Sequence, residues 1–200
     1  GNLLYAYSGD EDSGPLIDAS GNGRNVALTG DMVRYAAGQG YTYGGTHPNA
    51  KAFGQSVAST NSNGPTIAGL QTAKCTQMAW INRSDNSQIG WLGEIKSGGS
   101  GARGILLGLS GQAAFRCRNS SNTAQTPGVA QPAVNTWPTS GAPHTATSTS
   151  HLFDTLGPET KVRDLRYYDD AMTAAEIQAV MAVPVSAAGP APFVGWGVPL

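Results

Sequence analysis

The stretch Lys161–Ile177 constrains the fold more than any other part of the chain. Val162, Leu165, Tyr167 and Tyr168 sit among Arg163, Asp164 and Arg166. That is the pattern of a half-buried strand with one slip in its alternation. Asp169 and Asp170 break the strand. Thr173 then stands three residues before Glu176, which predicts a capping box, hydroxyl and carboxylate each satisfying a backbone N–H at a helix start. Ile177, Val180 and Met181 follow at helical spacing, and Pro184 ends the run, so a helix is predicted near 173–182. No other segment carries a clear helix signal. The chain therefore reads as a β protein closed by one short helix.

Two hundred residues suit a single domain of that kind. Charged residues make up 12%, against about 25% in an average domain, and Gly, Ser, Thr, Asn and Ala take their place. The net charge is −1, from twelve basic and thirteen acidic residues scattered singly. Without a basic stripe, nucleic acid is not an expected partner. No apolar run approaches the roughly 20 residues of a membrane span, so a membrane is not expected either. Gly1–Tyr5 shows no charged segment followed by an apolar one, so no secretory signal is expected there. Cys75 and Cys117 read first as two buried thiols, with a disulfide across neighbouring strands as the alternative.

Leu3–Tyr7 reads as the first strand, followed by an acidic turn cluster from Ser8 to Pro15 and a second loop from Asp18 to Gly23. Short strands are expected at Val26–Leu28 and Met32–Tyr35. If residues 38–45 are extended, Tyr41 and Tyr43 fall on one face. Residues 54–65 read as a loop or irregular edge. Lys74–Ile81 is the best central strand, with Trp80 in the core, and Ile89–Ile95 follows it. Gly104–Leu109 and Gln112–Arg118, joined by Ser110 and Gly111, read as a compact hairpin.

Three segments together resemble the LamG-like jelly roll of the concanavalin A-like lectin and glucanase superfamily. They are Asp18–Leu28, similar to the family's D-x-SGNG loop; Met78–Ile81, similar to its central strand; and Asp164–Ile177, similar to its last strand and closing helix. The likeness spans about residues 3–182. It implies an all-β, two-sheet antiparallel jelly-roll sandwich with one short C-terminal helix, occupying residues 1–183. Residues 119–150 depart from the family pattern: Trp137 is the counterpart of a family tryptophan, but the hairpin after it looks shortened.

Catalysis is not expected. Related glucanases carry paired acids in an E-x-D-x-x-E pattern, whereas Glu94 stands alone and Asp85 lies in a turn. His47, His144 and His151 lack a nucleophile partner in any recognisable motif. Asp10, Asp12, Asp18 and Asn22 lie in two Gly-rich loops of the kind that holds a structural calcium in the resembled family; the alternative is that they cap turns. Tyr41, Tyr43, Trp91 and Trp137 are the glycan-stacking candidates, with core packing as their alternative role.

The Pro- and Gly-rich tail, 184–200, cannot form a regular element of useful length. Val185, Phe193, Val194, Trp196 and Leu200 would have to dock it, and the last four are the expected partner-binding residues. Two functions fit. One is a non-enzymatic structural or adhesive virion protein of the phage tail or capsid-decoration type, bound to other virion subunits or to itself, with a cell-surface glycan as a further partner. The other is a secreted or surface carbohydrate-binding module, extracellular rather than in a virion.

Overall fold

The computed structural model describes residues 1–29, 32–38, 41–42, 45–46, 49–55, 66–82, 90–97, 101–109, 112–118, 124–125, 128–130, 139–151, 160–170 and 172–185. The architecture is an all-β antiparallel sandwich with one short helix near the C-terminal end. The first strands are β1 (Leu3–Tyr7), β2 (Met32–Tyr35), β3 (Tyr41–Thr42), β4 (Gly45–Thr46) and β5 (Ala52–Gln55). After them come β6 (Thr66–Asn82), β7 (Gly90–Ser97), β8 (Gly101–Leu109) and β9 (Gln112–Arg118). The chain finishes with β10 (Ala124–Gln125), β11 (Gly128–Ala130), β12 (Thr139–His151), β13 (Thr160–Tyr168) and α1 (Ala174–Met181). Eleven strands form one sheet: nine follow the path β10-β9-β8-β7-β12-β6-β13-β5-β2, with β1 on β13 and β11 on β9 as branches. β3 and β4 make a separate two-stranded ribbon.

The path is continuous because two strands are long. β6 runs for 17 residues and β12 for 13, and β12 pairs along β6 from Thr139 opposite Trp80 to His151 opposite Thr66. A regular strand here was not evident in the sequence. The Thr- and Ser-rich run is a full strand: β-branched threonine suits an extended, pleated backbone even without apolar alternation. β5 was also not evident in the sequence, and Val26 forms an isolated bridge to Leu16 rather than a strand. The β8–β9 pairing is as expected, with Leu109 opposite Gln112.

β13 organises the described core. β6 and β5 pair along it, and β1 pairs with its second half. Tyr5, Tyr7 and Tyr167 are buried, with Tyr5 stacked between the other two at 5.3 Å between ring centres. Tyr5 and Tyr7 share a face because a strand repeats every two residues. The helix forms where expected. Thr173 accepts the Glu176 N–H, and the Glu176 carboxylate accepts the Thr173 N–H, completing the capping box. Met181 lies in a cluster with Met78 and Trp80, joined by Ile177 and Val180. Gly54 is required where β5 meets β13, since a Cβ there would lie 1.9 Å from the Thr160 carbonyl oxygen.

Candidate functional site

The slip in the alternation of β13 is a bulge. Its pairing with β6 shifts register between Arg163 and Arg166, and Asp164 lies at φ 50, a left-handed conformation that aspartate tolerates better than most residues. Arg163, Asp164, Leu165 and Arg166 are consequently all buried. Three adjacent charges in the interior each need a partner, and each finds a different segment of chain.

The Arg163 guanidinium forms a two-pronged pair with the Asp10 carboxylate and also donates to the Lys51 carbonyl at 2.7 Å. Arg166 donates to the Val180 carbonyl at 2.8 Å and to that of Val183, so it holds the carbonyl end of α1. Asp164 donates its N–H to Ser8 and accepts the Val185 N–H through Oδ1. Burial pushes the Asp164 carboxyl up to about 6, against the pull of Arg163 and Arg166. Gly9 lets the 8–12 loop close over β5, for a Cβ at its φ of 85 would strike the Phe53 ring at 2.7 Å.

The second loop binds β1 along its free edge. Asp18 accepts the backbone N–H groups of Ala6, Ser20 and Arg24, each at 3.0 Å. The Asn22 amide nitrogen donates to the carbonyls of Leu3 and Leu4, and Arg24 also donates to Leu4. Tyr7 donates its hydroxyl to the Arg24 carbonyl, and burial raises its phenol further above the ordinary range. These contacts satisfy backbone groups that an unpaired strand edge would leave open.

The structure thus does not draw Asp10, Asp12, Asp18 and Asn22 to one point. Asp10 faces Arg163, Asp12 lies 2.5 Å from the Lys51 ammonium, Asp18 faces backbone amides, and Asn22 turns its nitrogen to carbonyls. A shared calcium needs several converging, cation-free oxygens, and this donor set does not fit one. Among the described residues no three His, Cys, Asp or Glu side chains group as metal ligands.

Two of the glycan candidates lie on other described strands. Tyr41 is on β3, opposite Thr46, and Trp91 is on β7, opposite Leu106. Tyr43 and Trp137 lie outside the described residues, as do Phe193, Val194, Trp196, Leu200, His47 and Asp85. Val185 is buried on its own domain, against Ala6 and Ala19. Glu94 on β7 stands opposite His151 on β12, and His144 stands opposite Cys75. Cys75 on β6 and Cys117 on β9 are not on hydrogen-bonded neighbouring strands. What sequence reasoning missed is the charged bulge. Its signal was present in the crowding of Arg163, Asp164 and Arg166 around the slip.

The three segments of the family resemblance meet in space. Met78 pairs with Arg166, β1 pairs with β13, and Asp18 binds the Ala6 N–H on β1. No protein-family model and no curated protein sequence matches the chain. Solved structures do share its fold. The binding domain of Paraclostridial Mosquitocidal Protein 1 aligns with 90% of this chain and 52% of its own, at 12% identity and a TM-score of 0.58. The receptor binding domain of botulinum neurotoxin D aligns over the same shares, at 10% identity and a TM-score of 0.56. The botulinum neurotoxin DC binding domain, solved in complex with SialylT, covers 90% and 50%, at 10% identity and 0.52. The chain spans about half the length of these structures, and at such identities the likeness is one of fold.

Proposed function

We propose that this chain is a non-enzymatic glycan-binding domain of LamG-like type, acting as an adhesive part of a virion such as a phage tail or capsid-decoration protein. The observation that carries the reading is the sandwich shared over 90% of the chain with toxin binding domains, one of them in complex with SialylT. A further similar structure, from botulinum neurotoxin type C, is described with cell entry that is dependent upon interaction with two ganglioside molecules. A fold hosts many functions, so the inference rests on a recurring use of this one. The virion placement is supported by the low charge, the Ala-, Gly- and Thr-rich composition and the apolar residues of the 184–200 segment.

Tyr41 and Trp91 are the stacking residues we assign, because an aromatic face packs against sugar C–H groups. Residues 1–183 form the binding domain, and Phe193, Val194, Trp196 and Leu200 contact a neighbouring subunit or a second copy. The test is a glycan array probed with the full chain. Retention on sialylated or other cell-surface oligosaccharides, weakened by about tenfold or more in Trp91→Ala or Tyr41→Ala, is the expected result. Absence of binding to every glycan would overturn the reading. Binding by a free monomer that is never recovered in a particle would favour the secreted or surface module instead.

A further inference from the structure

The segment that follows α1 is fastened to the β13 bulge by two side chains of opposite charge. Arg166 donates to the carbonyls of Val180 and Val183, and Asp164 Oδ1 accepts the Val185 N–H at 3.3 Å. Val185 is 9% exposed against Ala6 and Ala19, and Asp164, which holds its amide, is fully buried. Asp164 Oδ2 is buried as well and has no hydrogen-bond partner among the described residues. A buried carboxylate oxygen with no partner is costly while ionised. Val185 also leads directly into residues 186–200.

Among the described residues, three charged groups face Asp164. Arg163 approaches to 4.0 Å through Nε, and Arg166 lies on the same strand. Asp10 contributes a like charge from the loop after β1, which also supplies the Ser8 carbonyl to the Asp164 N–H. Among the described residues the post-helix segment offers the Val185 backbone amide. We infer that Val183–Val185 forms a proton-dependent clasp on this bulge, docking more tightly when Asp164 takes up a proton.

The direction follows from linkage. With the segment docked, burial holds the carboxyl above its ordinary range, at about 6. Undocking admits water to the carboxylate, removes much of that burial and returns the group toward ordinary carboxylate values. A group whose pKa is higher in the docked state binds its proton more tightly there. Lowering the pH through about 6 therefore favours docking, and raising it loosens the clasp. Protonation at Oδ2 leaves Oδ1 free to keep the Val185 hydrogen bond. The inference is independent of glycan binding.

The test is amide hydrogen exchange at Val185 in the full chain between pH 5 and 8, corrected for the intrinsic pH dependence of exchange. Protection should rise on acidification by about tenfold, the factor that one unit of pKa difference supplies. Asp164→Asn keeps an acceptor oxygen and tolerates the left-handed backbone, and its profile should be flat. A carbon-13 titration of the Asp164 carboxyl in the unsubstituted chain gives an independent readout, with a midpoint that coincides with the change in protection. Protection that stays constant or falls on acidification would overturn the inference. So would an Asp164→Asn chain that retains the slope, or a carboxyl titrating in the ordinary range near about 4.

Discussion

Two acidic, glycine-containing loops flank β1, one at residues 8–12 and the other at 18–24, and they are secured by different means. In the first, Asp10 and Asp12 reach cations far along the chain: Arg163 lies 153 residues away and Lys51 39 residues from Asp12. In the second, Asp18 accepts amides from residues 6, 20 and 24, and Asn22 donates to carbonyls 18 and 19 residues away. The first loop is held by contacts to Arg163 on β13 and to Lys51, which precedes β5. The second is held by contacts to β1 and within itself. Tertiary ion pairs make the first loop sensitive to salt and to distant substitution, whereas the second is held by hydrogen bonds between nearby side chains and the backbone, Asp18 accepting the most.

That contrast can be broken most severely at Asp18. Asp18→Ala strands three amide groups in a buried site, and a loss of about 3 kcal/mol in urea unfolding is expected. A loss below about 1 kcal/mol would mean that water replaces the carboxylate easily. Asp10→Ala should cost less, about 2 kcal/mol. It leaves a guanidinium only 4% exposed, yet Arg163 keeps the Lys51 carbonyl and lies near Asp164. Thr173→Ala removes one cap of the same side-chain-to-amide kind as Asp18, at an exposed site, and about 1 kcal/mol is expected. Asp12→Asn should change the melting temperature least, because the pair with Lys51 is open to solvent and screened by salt.

The pH dependence of that last pair has a definite sign. Lys51 holds the Asp12 carboxyl below its ordinary value. Its small contribution is present above the unfolded value and is lost as pH falls through the lower folded one. Asp164 behaves in the opposite sense, because its carboxyl is raised. Stability from that group increases as pH falls from about 6 toward the ordinary carboxylate range, and Asp164→Asn abolishes the increase. Adding calcium, or removing it with EDTA, should leave the melting temperature unchanged, because the acidic side chains of both loops already hold cations and amides.

Features encoded within a few residues were legible in the chain. The Thr173–Glu176 box, the stop before Pro184, the first strand and the irregularity in β13 all come from local spacing. The partner of Asp10 was not legible, because no local pattern ties a loop near the start to Arg163. The two loops looked equally suited to calcium for the same reason: oxygen-rich composition does not say whether a guanidinium or an amide will arrive. β12 escaped notice because Thr139–His151 lacks the apolar alternation by which strands are recognised. The aromatic candidates were chosen by residue type, by the Tyr41 and Tyr43 alternation and by the family likeness at Trp137, and Tyr41 and Trp91 fall on different strands with no register between them.

The proposal of binding without turnover is tested most directly by incubating the full chain with the oligosaccharide it retains and recovering that ligand for intact-mass measurement. The account predicts a bound glycan of unchanged mass after prolonged incubation, released whole by free competing sugar, with Glu94→Gln indistinguishable from the unsubstituted chain. Cleaved glycan that disappears in Glu94→Gln would contradict it.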